Sequence, residues 1–137
     1  MDGRVVASIG EGFCLLVGIE TSDGEGEVEA VVDKVAKLRV FSDYTGKMNL
    51  SIREVDGQIL VISQFTLLAD VRKGRRPSFT GAAPPEHAGP LVDHLAAAFE
   101  RLGIATATGV FGASMSVDLV NEGPVTLVLE VREGRVS

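Results

Sequence analysis

Two spacings organise the apolar residues of this chain. Val28, Val31, Val32, Val35 and Leu38 recur three and four residues apart, which predicts a helix over 27–38 with one buried face. Unbroken apolar runs predict strands instead, at Phe13–Ile19 and at 58–64, where Ile59, Leu60, Val61 and Ile62 form the core of the run. Arg4–Ile9 reads as a shorter strand, joined to the first run by a Gly10-Glu11-Gly12 turn. Strand-like stretches follow at 39–41 and 47–52 around Gly46, and Asp56-Gly57 has the composition of a hairpin turn leading into 58–64. A second helix is expected from Pro85 or Glu86 to Leu102, stopped by Gly103. Strands at 105–110, 114–120 and 125–132 complete the chain. The expected fold is α/β (α+β): a largely antiparallel, twisted, barrel-like sheet with two main helices, in a single domain over 1–137. Residues 65–85 break the pattern as a long loop containing Pro77, Pro84 and Pro85; such loops inside a compact domain are functional or disordered.

With 137 residues, 45% of them hydrophobic, the chain is long enough to bury a real core. No apolar run approaches the ~20 residues of a membrane span, and Met1-Asp2-Gly3-Arg4 lacks the basic and apolar regions of a signal peptide. The single Cys14 lies in the apolar run Phe13–Val17 and reads as a small hydrophobe rather than a nucleophile. These features lead to the expectation of a cytoplasmic protein without a membrane partner. The net charge of −6 argues against general affinity for nucleic acid, yet four of the 13 basic residues, Arg72, Lys73, Arg75 and Arg76, fall within five positions. That loop either meets one phosphate-rich ligand at one place or is a solvated charged segment.

Reactive side chains are scarce. Gly123-Pro124, at the mouth of the 125–132 run, is stiff and poor in donors, because proline fixes φ and has no N–H. It can aim two carbonyl oxygens at a ligand without using a side chain. Ser63-Gln64-Phe65-Thr66 stands where a strand opens into the long loop, a place where hydroxyls, an amide and backbone N–H groups can act on a ligand; Ser and Thr there also serve simply as turn formers. His87 and His94, seven residues apart on the second predicted helix, read as exposed helix residues. No Cys/His/carboxylate set has metal-ligand spacing, so neither metal nor cofactor is expected. An enzyme built on this chain would have to work with backbone groups, or with a group brought by its substrate.

Three motifs in order, Ser63-Gln64-Phe65-Thr66, Arg72-Lys73-Gly74-Arg75-Arg76-Pro77-Ser78-Phe79 and Asn121-Glu122-Gly123-Pro124-Val125-Thr126, resemble those of the D-aminoacyl-tRNA deacylases. Gly46-Lys47-Met48-Asn49-Leu50 and Thr108-Gly109-Val110-Phe111-Gly112-Ala113-Ser114-Met115 extend the resemblance over essentially the whole chain. The turn signal Asp2-Gly3 has no strand before it, whereas family members begin with one that carries an Arg buttressing the Gly-Pro motif. The resemblance therefore leads to the expectation that an N-terminal strand is missing here, through a misassigned start.

The resemblance implies an enzyme that hydrolyses the ester of D-aminoacyl-tRNA, and of mischarged glycyl-tRNA, while rejecting L-aminoacyl substrates. It assigns catalysis to Ser63, Gln64, Phe65 and Thr66, with N–H groups around Gln64 and Phe65 holding an oxyanion and Thr66 positioning substrate for water attack. Gly123 and Pro124, supported by Asn121, Val125 and Thr126, would form a chirality gate with a cis peptide, entering the active site of the other subunit of a homodimer. Cis bonds are only about 5–6% of X–Pro bonds, so the cis form rests on the resemblance alone. Phe111, Gly112 and Met115 would shape a pocket for the terminal adenosine, and Arg72, Lys73, Arg75 and Arg76 would meet tRNA phosphates. The expected partners are thus tRNA and a second copy of the chain, not DNA. Two alternatives remain open: a non-catalytic RNA-binding module of the same fold, and a hydrolase of small esters or amides with Thr66 as nucleophile.

Overall fold

The computed structural model describes residues 3–137; Asp2 of the expected first turn lies outside the described residues. The buried strand β4 (Gln58–Ser63) is the organising element. It pairs in parallel with β1 (Gly12–Val17), from Gly12 opposite Gln58 to Val17 opposite Ser63, and on its other edge with β5 (Thr106–Thr108). Between β1 and β4 run α1 (Glu25–Lys37) and the antiparallel pair β2 (Phe41–Ser42) and β3 (Met48–Leu50); α2 (Pro85–Arg101) carries the chain from β4 to β5. A short antiparallel pair, β6 (Val131–Arg132) and β7 (Arg135–Val136), ends the chain.

Parallel neighbours need crossovers, and helices supply them. α1 begins at Gly24, whose N–H donates to Glu27 Oε1 at 2.8 Å, with Glu25 and Glu27 in the first turn and Lys34 and Lys37 in the last, both favourable to the helix dipole. Its buried face is Val28, Val32, Val35 and Ala36. α2 buries Leu91, Val92, Leu95, Ala96 and Phe99, and Gly103 at φ +82° ends it, with its N–H on Glu100 O at 2.9 Å. Both helices meet Ile59 and Val61 of β4 in one core with Ile52 and Ile104, and Phe13, Leu15 and Val17 of β1 pack against it. Alternation then turns Cys14, Leu16 and Leu60 toward the opposite face, where Leu16 stays 49% exposed. No helix among the described residues is long and apolar enough to cross a membrane.

The two helices and strands β1 and β4 fall where helical spacing, stop signals and apolar runs put them. The sheet departs from expectation: its core is parallel, not antiparallel, and it does not close into a barrel. Asp56-Gly57 does not join paired strands, since β3 pairs with β2 and β4 with β1. Arg4–Ile9 and 114–120 form no strand, and of 125–132 only Val131–Arg132 does. These segments have strand composition but no ladder partner, so Leu119 (60%), Val120 (86%) and Val128 (84%) stand exposed.

Candidate functional site

The register of β1 against β4 fixes where the candidate catalytic segment begins. Ser63 sits opposite Val17, and the Gln64 N–H continues the ladder to Val17 O at 2.8 Å. The chain then turns into a single 3-10 turn, Phe65–Leu68, closed by Leu67 N to Gln64 O and Ala69 N to Thr66 O, each 3.1 Å. The first amides of any such turn lack partners within it. Here the Phe65 and Thr66 N–H groups open the turn and meet no acceptor among the described residues. They are the pair able to receive an oxyanion, whereas the Gln64 N–H expected in that role is spent on the ladder. The Gln64 side-chain amide donates to Thr66 Oγ1 and fixes the hydroxyl's orientation.

A close approach holds this turn in place. A Cβ added to Gly18, just past β1, would stand 3.2 Å from Leu67 Cβ and 3.3 Å from Gln64 O, so only glycine lets the turn lie this near β1. On the far side the Phe65 ring meets Phe79 edge-on, with centroids 5.0 Å apart. The long loop is therefore ordered at its root. Asp70 and Ser78 exchange backbone hydrogen bonds of 2.7 and 2.9 Å, so the basic residues ride on a closed loop over 71–77. Beyond it, Ala83 N donates to Ile19 O at 2.9 Å and returns the chain beside β1.

A cavity of about 40 Å³ opens beside Ser63, lined also by Thr108 at the end of β5, Gly109 just past it, Asp93 of α2, Phe111 and Met115. Such a volume takes a water or two, not a nucleobase. Met115 closes it, lying so near Gly109 that a Cβ there would be 3.2 Å from Met115 Cε, and a thioether on three rotatable bonds yields readily to a ligand. The structure thus joins Ser63 to Phe111 and Met115, but Gly112 does not line the cavity. Asp93 is polar lining that sequence reasoning missed: it is an exposed helix residue whose place at the cavity depends on how α2 packs, while Thr108 entered only as part of the family motif.

Gly123 and Pro124 are exposed and do not line that cavity. The described residues contain no cis peptide, so the Gly123–Pro124 bond is trans and not cis as expected. No hydrogen bond among the described residues holds Gly123 or Pro124, and the trans form then keeps its intrinsic advantage. Its loop is braced internally: Asn121 Nδ2 donates to Thr126 Oγ1 at 2.9 Å, and Val125 N–H donates to Asn121 Oδ1 at 3.3 Å. Gly123 takes φ +121°, where a side chain would be strained and a Cβ would press on Val125.

The histidines are half-buried ties between elements rather than exposed helix residues. His87 Nε2 bonds Asp23 O at 2.7 Å, and His94 Nε2 bonds Glu29 Oε1 at 2.8 Å, so neither serves Thr66 as a base. Cys14 is half-buried, and desolvation pushes its thiol up, away from the reactive thiolate. A second cavity, about 240 Å³, is walled by Glu20, Asp23, Glu27 and Glu133 with Arg132 alone opposing them, which suits no phosphate. Burial also pushes the Asp23 carboxyl up.

The sequence matches the family described as D-Tyr-tRNA(Tyr) deacylase over residues 1–130. A D-aminoacyl-tRNA deacylase of Chloroflexus aurantiacus is 56% identical over 134 residues, covering 98% of this chain and 84% of the relative. Among solved structures, the c-Myc DNA Unwinding Element Binding Protein superposes with a TM-score of 0.88 at 37% identity, covering 95% of this chain and 89% of that one. A probable eukaryotic D-amino acid tRNA deacylase superposes at 0.68 over 77% of each chain, and its 14% identity speaks for the fold alone.

Gly18→Ala is expected to cost about 1–3 kcal/mol by overpacking and to move amide resonances chiefly in 64–69 and at Phe79. Denaturant unfolding and a two-dimensional NMR spectrum read both. Shifts spread evenly over the domain would contradict the role of Gly18 in seating the turn.

Proposed function

The chain belongs to the D-Tyr-tRNA(Tyr) deacylase family, and from that membership we propose that it hydrolyses the ester joining a D-amino acid to the terminal adenosine of tRNA, leaving L-aminoacyl-tRNA intact. The observation that carries this reading is the family match over residues 1–130, with the 56% identity to a D-aminoacyl-tRNA deacylase over 98% of the chain. Glycyl-tRNA is accepted by the same logic, because glycine has no side chain to exclude. The setting for such work is the cytoplasm, where tRNA is charged.

Water attacks the ester carbonyl, and the negative charge that develops on its oxygen falls between the Phe65 and Thr66 N–H groups. The attacking water gives up a proton, the bond to the ribose 3′ oxygen breaks, and that proton reaches the 3′ oxygen by way of the neighbouring 2′-hydroxyl. This assignment to substrate fits a site where no histidine or carboxylate among the described residues is bonded to Thr66. Thr66 positions substrate, Ser63 and the cavity bounded by Phe111 and Met115 receive the terminal adenosine once Met115 moves, and the loop carrying Arg72, Lys73, Arg75 and Arg76 meets the tRNA phosphates. Gly112, at φ +76°, turns the chain beside Phe111 and so shapes the same pocket.

Chirality is checked by exclusion. The carbonyl oxygens of Gly123 and Pro124, from a second copy of the chain, hold the substrate's amino group so that an L side chain would strike backbone and a D side chain would point outward. Asn121, Val125 and Thr126 keep that loop in shape. A homodimer is supported by the segments flanking the gate, whose Leu119, Val120, Leu127 and Val128 are exposed in the protomer, as is Leu16 on the open face of the sheet.

A second reading, a nucleic-acid-binding module without catalysis, draws on the solved structure described as a DNA-unwinding-element binding protein. Deacylation of D-Tyr-tRNA and L-Tyr-tRNA under matched conditions separates them. The enzyme is expected to turn over only the D substrate; binding of both without turnover would favour the module. Thr66→Ala is expected to keep kcat within about tenfold, against the ~10⁶ loss typical of removing a covalent nucleophile. Trapping an acyl-Thr66 species by mass spectrometry would overturn water attack.

A further inference from the structure

The basic loop does not present four equivalent cations. The Asp70 carboxylate receives three hydrogen bonds from one residue: from the Arg72 N–H at 3.0 Å, from Arg72 Nε at 3.0 Å and from Arg72 Nη2 at 2.7 Å. The guanidinium fork is thus occupied in the bidentate geometry that gives such pairs their directionality. Those bonds hold the Asp70 carboxyl below the ordinary carboxylate value, so it remains charged at neutral pH. Asp70 is also the residue whose backbone closes the loop against Ser78, and Phe79, next along, packs on Phe65. One residue therefore fixes both the neck of the loop and the arginine that leaves it. Lys73, Arg75 and Arg76 are exposed and form no ion pair or hydrogen bond among the described residues, and Gly74 at φ +68° turns the chain between them.

We propose that the loop divides its labour: Asp70 and Arg72 form a positioning brace, and the phosphates of the tRNA end are met by Lys73, Arg75 and Arg76 alone. The inference rests on the reading of the chain as a tRNA deacylase. An Arg whose Nε–Nη2 edge is forked onto a carboxylate cannot turn that edge to a phosphate, and the pair contributes no net charge. What it contributes is the direction of the three cations relative to the Phe65–Leu68 turn, where the ester must lie. A surface pair of this kind is a modest stabiliser, so the expected effects are small in fold stability and specific in binding.

Charge alone and positioning predict opposite signs for Asp70→Ala. Removing a carboxylate beside a basic loop should tighten tRNA binding if charge governs; if the brace governs, it weakens it. The experiment measures Kd for uncharged tRNA against salt concentration, with kcat and KM for D-Tyr-tRNA in parallel. Asp70→Ala is expected to raise Kd and KM about two- to fivefold with kcat unchanged. Arg72→Ala should also raise Kd while leaving the salt slope unaltered, whereas Lys73→Ala, Arg75→Ala and Arg76→Ala should each flatten the slope by about 0.7–0.9. Tighter binding by Asp70→Ala, or a flattened slope for Arg72→Ala, would overturn the brace while D-selective turnover by the unaltered protein still stood. Absence of that turnover would instead remove the deacylase reading and the proposal with it.

Discussion

Everything placed near the candidate site descends from one pairing, the parallel ladder between β1 and β4. It sets Ser63 opposite Val17 and spends the Gln64 amide on the next rung, so the chain must leave the sheet at Phe65 with two amides unpaired. Parallel strands cannot be joined by a tight turn, and the crossovers they require are the helices that bury Ile59 and Val61. The strand that builds the core is thus the one that ends in the site. Its stiffness comes from being hydrogen-bonded on both edges, and Gly18 passes that stiffness to the turn by letting it lie against β1.

A site so poor in reactive side chains favours catalysis by geometry. Two backbone amides, a hydroxyl oriented by Gln64, a small cavity and a stiff Gly-Pro loop are all positioned groups, and none needs an unusual protonation state. Selection by exclusion fits the same economy, because a rigid carbonyl surface discriminates hand without reading side-chain identity. Within one protomer the parts are incomplete: the Gly123–Pro124 loop does not line the cavity beside Ser63, and the apolar segments on either side of it lack ladder partners. The proposed homodimer would meet both deficits in one event, the arrival of a second copy.

Periodicity made the first helix legible, since Val28, Val32 and Val35 must face one way whatever they pack on, and the Pro85 start and Gly103 stop marked the second. The apolar runs Phe13–Val17 and Ile59–Ile62 announced strands buried on two sides, but not their direction. Such runs are characteristic of parallel sheets, and Asp56-Gly57 pointed misleadingly to an antiparallel hairpin. Strand composition at 114–120 and 125–130 was equally misleading, because a strand exists only where a partner takes its hydrogen bonds. At the site, Ser63–Thr66 and the basic loop were visible as motifs, and Phe111 and Met115 through the family resemblance. Asp93 was not, since only the packing of α2 against the end of β5 brings it to the cavity. The division between Arg72 and its neighbours depends on the rotamer that turns it back on Asp70, which no spacing reveals.

The claim on which function turns is that the gate acts across subunits, and complementation tests it directly. Phe65→Pro removes one oxyanion donor, Pro124→Ala loosens the gate, and each variant alone is expected to be nearly inactive. Co-expressed with different tags and purified together, they should regain roughly a quarter of the unaltered rate on D-Tyr-tRNA, because half of randomly assorted dimers are mixed and each mixed dimer holds one intact site. Activity no higher than that of the two parents would place the gate within its own protomer and contradict the cross-subunit arrangement.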